Sequence, residues 1–148
     1  MSIKNLDFKF INLSHKYFVP VARFGLFVIF FWFGFLKVIG LSPASDLVQA
    51  LFEQTINFMS FNQFIVLFGL FECLIGILFI IPGLERLAIV LLFFHMVTTF
   101  MPLFILPAVT WSGFLIPTLE GQYIIKNLVI ISTAIGIASN LHSKNGVK

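Results

Sequence analysis

Two residues sit where an apolar chain least easily accepts them: Glu72, within FGLFECLIGI, and His95, within FFHMVTT. A carboxyl in the middle of an apolar run is costly to bury, so it reads first as a functional group. An imidazole gains and loses protons near neutral pH. Glu72 and His95 are therefore the candidate catalytic pair, and the chemistry they offer is proton exchange. Plainer readings stand beside these. Glu72 is also compatible with a neutral hydrogen-bonded structural carboxyl or with a partner of Lys126, and His95 with a satisfied core histidine.

A second set has the character of a ligand lining: Trp32, Lys37, Glu120, Tyr123, Lys126 and Asn127. Lys37 and Lys126 would hold an anionic or carbonyl oxygen through charge-assisted hydrogen bonds. Trp32 and Tyr123 would wall a flat ring. The alternative for Lys37 is a side chain that snorkels to the head groups, and Arg23 reads as an anchor at the opposite end. Cys73, the one cysteine, reads as a small packing residue and rules out an internal disulfide or a dithiol relay. A bis-His haem needs two facing histidines within the membrane, whereas His15 and His142 lie at the cytoplasmic ends, far from His95, so no metal or haem site is expected. Neither a nucleotide-binding loop nor a Ser-His-Asp arrangement is present, and no run of Lys or Arg suits nucleic acid.

The elements that must position these residues follow from composition. Of 148 residues 59% are hydrophobic and only 10% charged, with a mean hydropathy of +1.07. A soluble domain carries about 25% charged residues, so the surface of this chain faces lipid. Four apolar runs, about 18–39, 64–81, 87–106 and 123–141, each suit a crossing of roughly 20 residues. Ser42-Pro43 opens a short helix in the first loop, and Pro82-Gly83 turns the chain tightly between the second and third runs. Ile3, Leu6, Phe10, Leu13 and Tyr17 fall at helical spacing among Lys4, Asp7 and Lys9, which reads as an amphipathic surface segment or a frayed basic tail.

Lys4, Lys9, Lys16, Arg23, Arg86, Lys144 and Lys148 all fall at one end of the spans, whereas the other two loops carry no Lys or Arg. The positive-inside rule therefore places both termini in the cytoplasm. The predicted fold is all-α: one domain, a four-helix transmembrane antiparallel bundle. Each run has one polar or small-residue stripe to turn inward: Arg23, Phe30, Gly34 and Lys37; Gly69, Glu72 and Gly76; His95, Thr98, Thr99 and Pro102; Lys126, Thr133, Gly136 and Asn140. Depth puts Glu72 and His95 near mid-membrane, with Lys37, Glu120 and Lys126 near the outer mouth of a polar pocket that opens outward. Homo-oligomerisation through Gly69, Gly76 and Gly136 is compatible with the same spacing.

FFWFGFLKVIGLSPASDLVQ, FGLFECLIGI, FHMVTTFMPLFILP and PTLEGQYIIKNLVII together resemble the DoxX-like family of bacterial integral membrane proteins. The most specific blocks are Trp32-x-Gly34-x-x-Lys37 with Ser42-Pro43, and Glu120-Gly121-Gln122-Tyr123 leading to Lys126-Asn127. The resemblance implies a four-helix protein of the bacterial inner membrane with redox associations; one branch is the small subunit of a thiosulfate:quinone oxidoreductase. The expected function is thus a redox-associated subunit binding a quinone or small anion, with a redox protein as partner. The alternative is a non-catalytic structural subunit, or a pathway for protons or small solutes.

Overall fold

The computed structural model describes residues 3–141; Met1, Ser2 and the tail with His142, Lys144 and Lys148 lie outside the described residues. The chain forms the expected all-α bundle. Its long helices are α1 (Ile3–Val38), α3 (Phe61–Ile80), α4 (Glu85–Phe100) and α7 (Leu119–Ser139), and between α1 and α3 lies α2 (Ser45–Thr55). Two single-turn helices, α5 (Pro102–Ile105) and α6 (Pro107–Thr110), lead into a small hairpin of β1 (Trp111–Gly113) and β2 (Ile116–Pro117). Four helical stretches are long and apolar enough to cross a membrane, with α4 and α5 counting as one. Many large apolar side chains point outward from them, among them Leu67, Phe94, Val97 and Val129. Lipid is the medium that accepts such a surface.

The ends of the helices are set by local chemistry. Ser60 Oγ accepts from the Gln63 amide at 3.4 Å while Gln63 Oε1 accepts from the Ser60 amide at 3.3 Å, a reciprocal cap that starts α3. Gly83, at a φ of +87°, makes the turn into α4. Pro102 has no amide hydrogen to continue the ladder, and α4 ends two residues before it. Thr118 starts α7 by accepting from the Gly121 amide at 3.2 Å, and its hydroxyl donates to Val109 O at 2.7 Å, which ties α7 to α6.

Two expectations change. The N-terminal amphipathic segment is no separate surface element, because α1 runs unbroken from Ile3 through Pro20 into the first span. The carbonyl that Pro20 leaves unbonded belongs to the exposed Lys16, where water can satisfy it. At 36 residues and about 1.5 Å per residue, α1 is far longer than a bilayer crossing, and Lys4 to Phe18 stay exposed. The second change concerns α7, whose buried residues are Gly121, Ile124, Ala134 and Ile137. Lys126 lies about 200° around the helix from Ile124, so the stripe of Lys126, Thr133, Gly136 and Asn140 is not the inward one. Of that set Gly136 meets the bundle, against the Phe18 ring, while Lys126 and Asn140 are exposed.

Around the bundle α1 packs on α3, α3 on α4, α4 on α7 and α7 back on α1, with α1–α3 the most extensive seam. Leu26 and Phe30 of α1, Ile75 and Phe79 of α3, Leu92 of α4 and Ile137 of α7 form the apolar core. Glycines let α1 and α3 meet backbone to backbone. A Cβ on Gly34 would lie 2.6 Å from Gly69 O, and one on Gly69 would lie 2.6 Å from Gly34 O. This crossing brings Lys37 over Gly69 and alongside Glu72.

Candidate functional site

Lys37 is the last residue but one of α1 and, instead of rising to the head groups, turns inward along α3. Its Nζ donates to Glu72 Oε2 at 2.6 Å. The other carboxylate oxygen, Oε1, meets His95 Nε2 of α4 at 2.9 Å. Lys37, Glu72 and His95 are 6%, 5% and 6% exposed, so three helices are joined by a sealed chain of ammonium, carboxylate and imidazole. The interface reading of Lys37 and the pairing of Glu72 with Lys126 both give way to this geometry.

Aromatic rings enclose the imidazole. Phe68 of α3 stacks on it at 5.1 Å, Phe30 of α1 meets it edge-on at 5.3 Å, and Phe71 of α3 lies at 6.2 Å. Phe68 also lies beneath Lys37 Nζ at 5.6 Å. Such ring faces favour a cation beside them. The Phe68 ring continues a line through Phe64 to the buried Phe52 of α2, with successive centroids 5.5 and 5.0 Å apart. On its far side the imidazole meets Thr99, whose Oγ1 lies 3.1 Å from Nδ1. Cys73 packs at the same seam with its Sγ toward Phe31 O, as expected of a small packing residue.

The other lining candidates do not reach the triad. Trp32 is 63% exposed on the outer face of α1. Tyr123 is 62% exposed, and Lys126 Nζ sits 5.1 Å over its ring, on the outer face of α7. Glu120 is exposed in the first turn of α7, where a carboxylate complements the helix N-terminus. Asn127 spends its Nδ2 on its own helix, donating to Tyr123 O and Ile124 O. The physical reason is the one that turned the polar stripe of α7 outward: its Gly121, Ile124, Ala134 and Ile137 pack better inside.

The polar groups that the sequence reading left without a role are Thr99, which the i, i+4 spacing to His95 marks, and Glu85. Glu85 of α4 pairs with Arg23 NH1, while Arg23 also donates to Phe79 O at 2.7 Å and Ile80 O at 3.0 Å. The adjacent Arg86 disguised Glu85 as part of a charged turn.

The surface has an apolar groove of about 440 Å³ between α4 and α7, lined by residues such as Met96, Phe100 and Ile131, and a concavity of about 280 Å³ beside Arg23 and Pro82. Lys37, Glu72 and His95 line neither of the two. Every buried side-chain nitrogen and oxygen among the described residues already has a hydrogen-bond partner. A quinone or anion therefore finds no unpartnered group at the triad. Among the described residues no cluster of His, Cys, Asp and Glu is able to hold a metal ion. Comparison of the chain with family models, with curated proteins and with solved structures finds no match.

Proposed function

We propose that this chain is a multi-pass membrane subunit, linked to redox chemistry, whose buried Lys37–Glu72–His95 chain stores one exchangeable proton. The observation that carries the reading is that Glu72 gives one oxygen to each of two different nitrogen bases, 2.6 and 2.9 Å away. With Lys37 charged, Glu72 ionised and His95 neutral, the set has no net charge, as a low-dielectric site demands. One more proton makes an imidazolium that keeps its carboxylate on one side and gains the Phe68 face on the other. Two occupancies are thus accommodated without moving a helix.

The redox link rests on the resemblance of Trp32-x-Gly34-x-x-Lys37 and Glu120-Gly121-Gln122-Tyr123 to the DoxX-like proteins. A quinone would meet the proton store only after the triad opened, and no step is derived through it. The Lys and Arg of the α1 start and of the α3–α4 turn mark the cytoplasmic side, and the bacterial inner membrane is the location that the resemblance implies.

A second reading, a purely structural network that orders the bundle, is favoured by the sealing of the triad behind the Gly34–Gly69 crossing. Infrared spectra of the protein in lipid nanodiscs across pH separate the two. The expected result is uptake of one proton with changes in imidazole and carboxylate bands, absent from Glu72→Gln. A wild type whose bands stay fixed across pH, alongside a folded Lys37→Met, Glu72→Met double variant, would establish the structural reading instead. Solvent extraction of the gently purified protein, assayed for quinone, tests whether a ligand travels with it.

A further inference from the structure

Helix α1 carries an apolar stripe that its own bundle leaves uncovered. Leu6, Phe10, Leu13 and Tyr17 are each at least half exposed, and Val21 and Phe24 continue the line. At about 100° per residue these six fall within a strip roughly 80° wide. The side of α1 that meets the bundle is marked by Arg23, Leu26, Phe30, Gly34 and Lys37. It lies about 140° round the helix from the stripe. The stripe therefore faces away from the protein that carries it. Phe8 and Ile11 are exposed as well but stand off this line.

Two contacts mark where the bundle ends along α1. Arg23 donates to the carbonyls of Phe79 and Ile80, the last two residues of α3. The Phe18 ring lies against Gly136, in the last turn of α7. The described residues before Phe18 project about 20 Å farther. Lys4, Asp7, Lys9 and Lys16 are exposed on that projection, so it stands in water and not in hydrocarbon. An apolar row in water is surface that association buries. α1 runs unbroken through Pro20, whereas laying the stripe on the bilayer requires a sharp bend there. The residues after Leu141, HSKNGVK, offer it one large apolar side chain, Val147.

We infer that the stripe pairs with the same stripe of a second copy of this chain, the two α1 helices running parallel about a two-fold axis along the membrane normal. Copies in one membrane share direction and depth, so each residue of the stripe meets its own counterpart. The steps from Leu6 to Phe10, Leu13 and Tyr17 are four, three and four residues, the alternation of a two-helix seam. Asp7 and Lys9 flank it on opposite sides, each about 80° from its centre. Two-fold symmetry sets the Asp7 flank of each helix beside the Lys9 flank of the other, a charge match at the rim. Lys4 and Lys16 lie farther round and bring no like charges to the seam. Six such side chains offer on the order of 100 Å² apiece, or about 1,200 Å² over two copies, the size at which specific interfaces begin. Both bundles stay on the outer sides of the pair, and the Gly34–Gly69 crossing and the triad are untouched.

The test is copper-catalysed air oxidation of the full chain in liposomes at a low protein-to-lipid ratio. Phe10→Cys is expected to form a disulfide-linked dimer, whereas Asn12→Cys, about 160° round the helix, is not. The native Cys73 is buried, and the wild type sets the background. Phe10→Glu with Leu13→Glu is expected to weaken association on the order of 100-fold, as the loss of two buried apolar side chains implies. Energy transfer between labelled copies reads this as lipid is added. The infrared response of that variant to pH should match the wild type, so failure of the pairing and failure of the proton store are told apart. Equal cross-linking at both positions, none at position 10, or wild-type association of the double variant would overturn the pairing. A nitroxide on Phe10→Cys that is relaxed by oxygen dissolved in lipid, in a chain that stays single, would overturn it in favour of the bilayer surface.

Discussion

The bundle holds two ionic contacts of opposite design. In the middle, an ammonium, a carboxylate and an imidazole are sealed together. At the end where α3 turns into α4, the Arg23 guanidinium binds Glu85 and two backbone carbonyls, with the two side chains 18% and 10% exposed. Arginine stays charged in any protein environment, and its planar fork suits fixed carbonyls at a helix C-terminus. The Arg23 contact is a clamp. The triad is more deeply buried and, on the proton-store proposal, a working part.

The comparison is broken most severely at Glu72. Glu72→Ala leaves the Lys37 ammonium buried without a counter-charge, an expected loss of about 3–5 kcal/mol measured by thermal unfolding in mild detergent. Replacing both partners, as in Lys37→Met with Glu72→Met, should recover most of that stability while abolishing the proton signal. Next comes the crossing that holds the triad shut. A side chain at Gly34 would strike Gly69 O, Cys73 N and Glu72 Cβ, all within 2.8 Å of the new Cβ. Gly34→Val should therefore cost about 3 kcal/mol and lengthen the Lys37–Glu72 contact. Arg23→Ala removes charge-assisted bonds at the clamp for about 2 kcal/mol and should leave the infrared pH response intact. Loss of that response in Arg23→Ala would dissolve the distinction between the two contacts. Lys126→Ala forfeits only an exposed cation–ring contact, under about 1 kcal/mol, with no change at the triad.

How far the sequence could be read varies with what each residue must do. The spans were legible because lipid enforces a uniform apolar composition over about 20 residues. The inward stripes of α1, α3 and α4 were legible because Gly34, Lys37, Glu72 and His95 have no reason to face lipid. The stripe of α7 was misread for the opposite reason. Lys126 sits within reach of the membrane edge and stacks over Tyr123, so its charge needs no partner inside, and modest apolar residues such as Ala134 decide the packing. Pro20 shows a similar limit. It reads as a helix start, but a helix continues through it where the orphaned carbonyl is exposed. Pairing across helices was beyond the sequence altogether. Nothing in spacing says that Glu72 meets Lys37 before Lys126, because that depends on the depth and rotation of two separate helices.

The Lys37–Glu72 contact also bears on how the protein is made. The two residues are 35 positions apart, on separate helices, so α1 leaves the ribosome ahead of the helix that carries its counter-charge. Until α3 arrives, the Lys37 ammonium has only the membrane edge to turn to, which its place in the last turn of α1 allows. Docking of α3 then draws the side chain inward and exchanges head-group solvation for a carboxylate. The pair thereby ties α1 to α3: a chain whose third helix is missing or misoriented keeps at the end of α1 a cation that lacks its carboxylate.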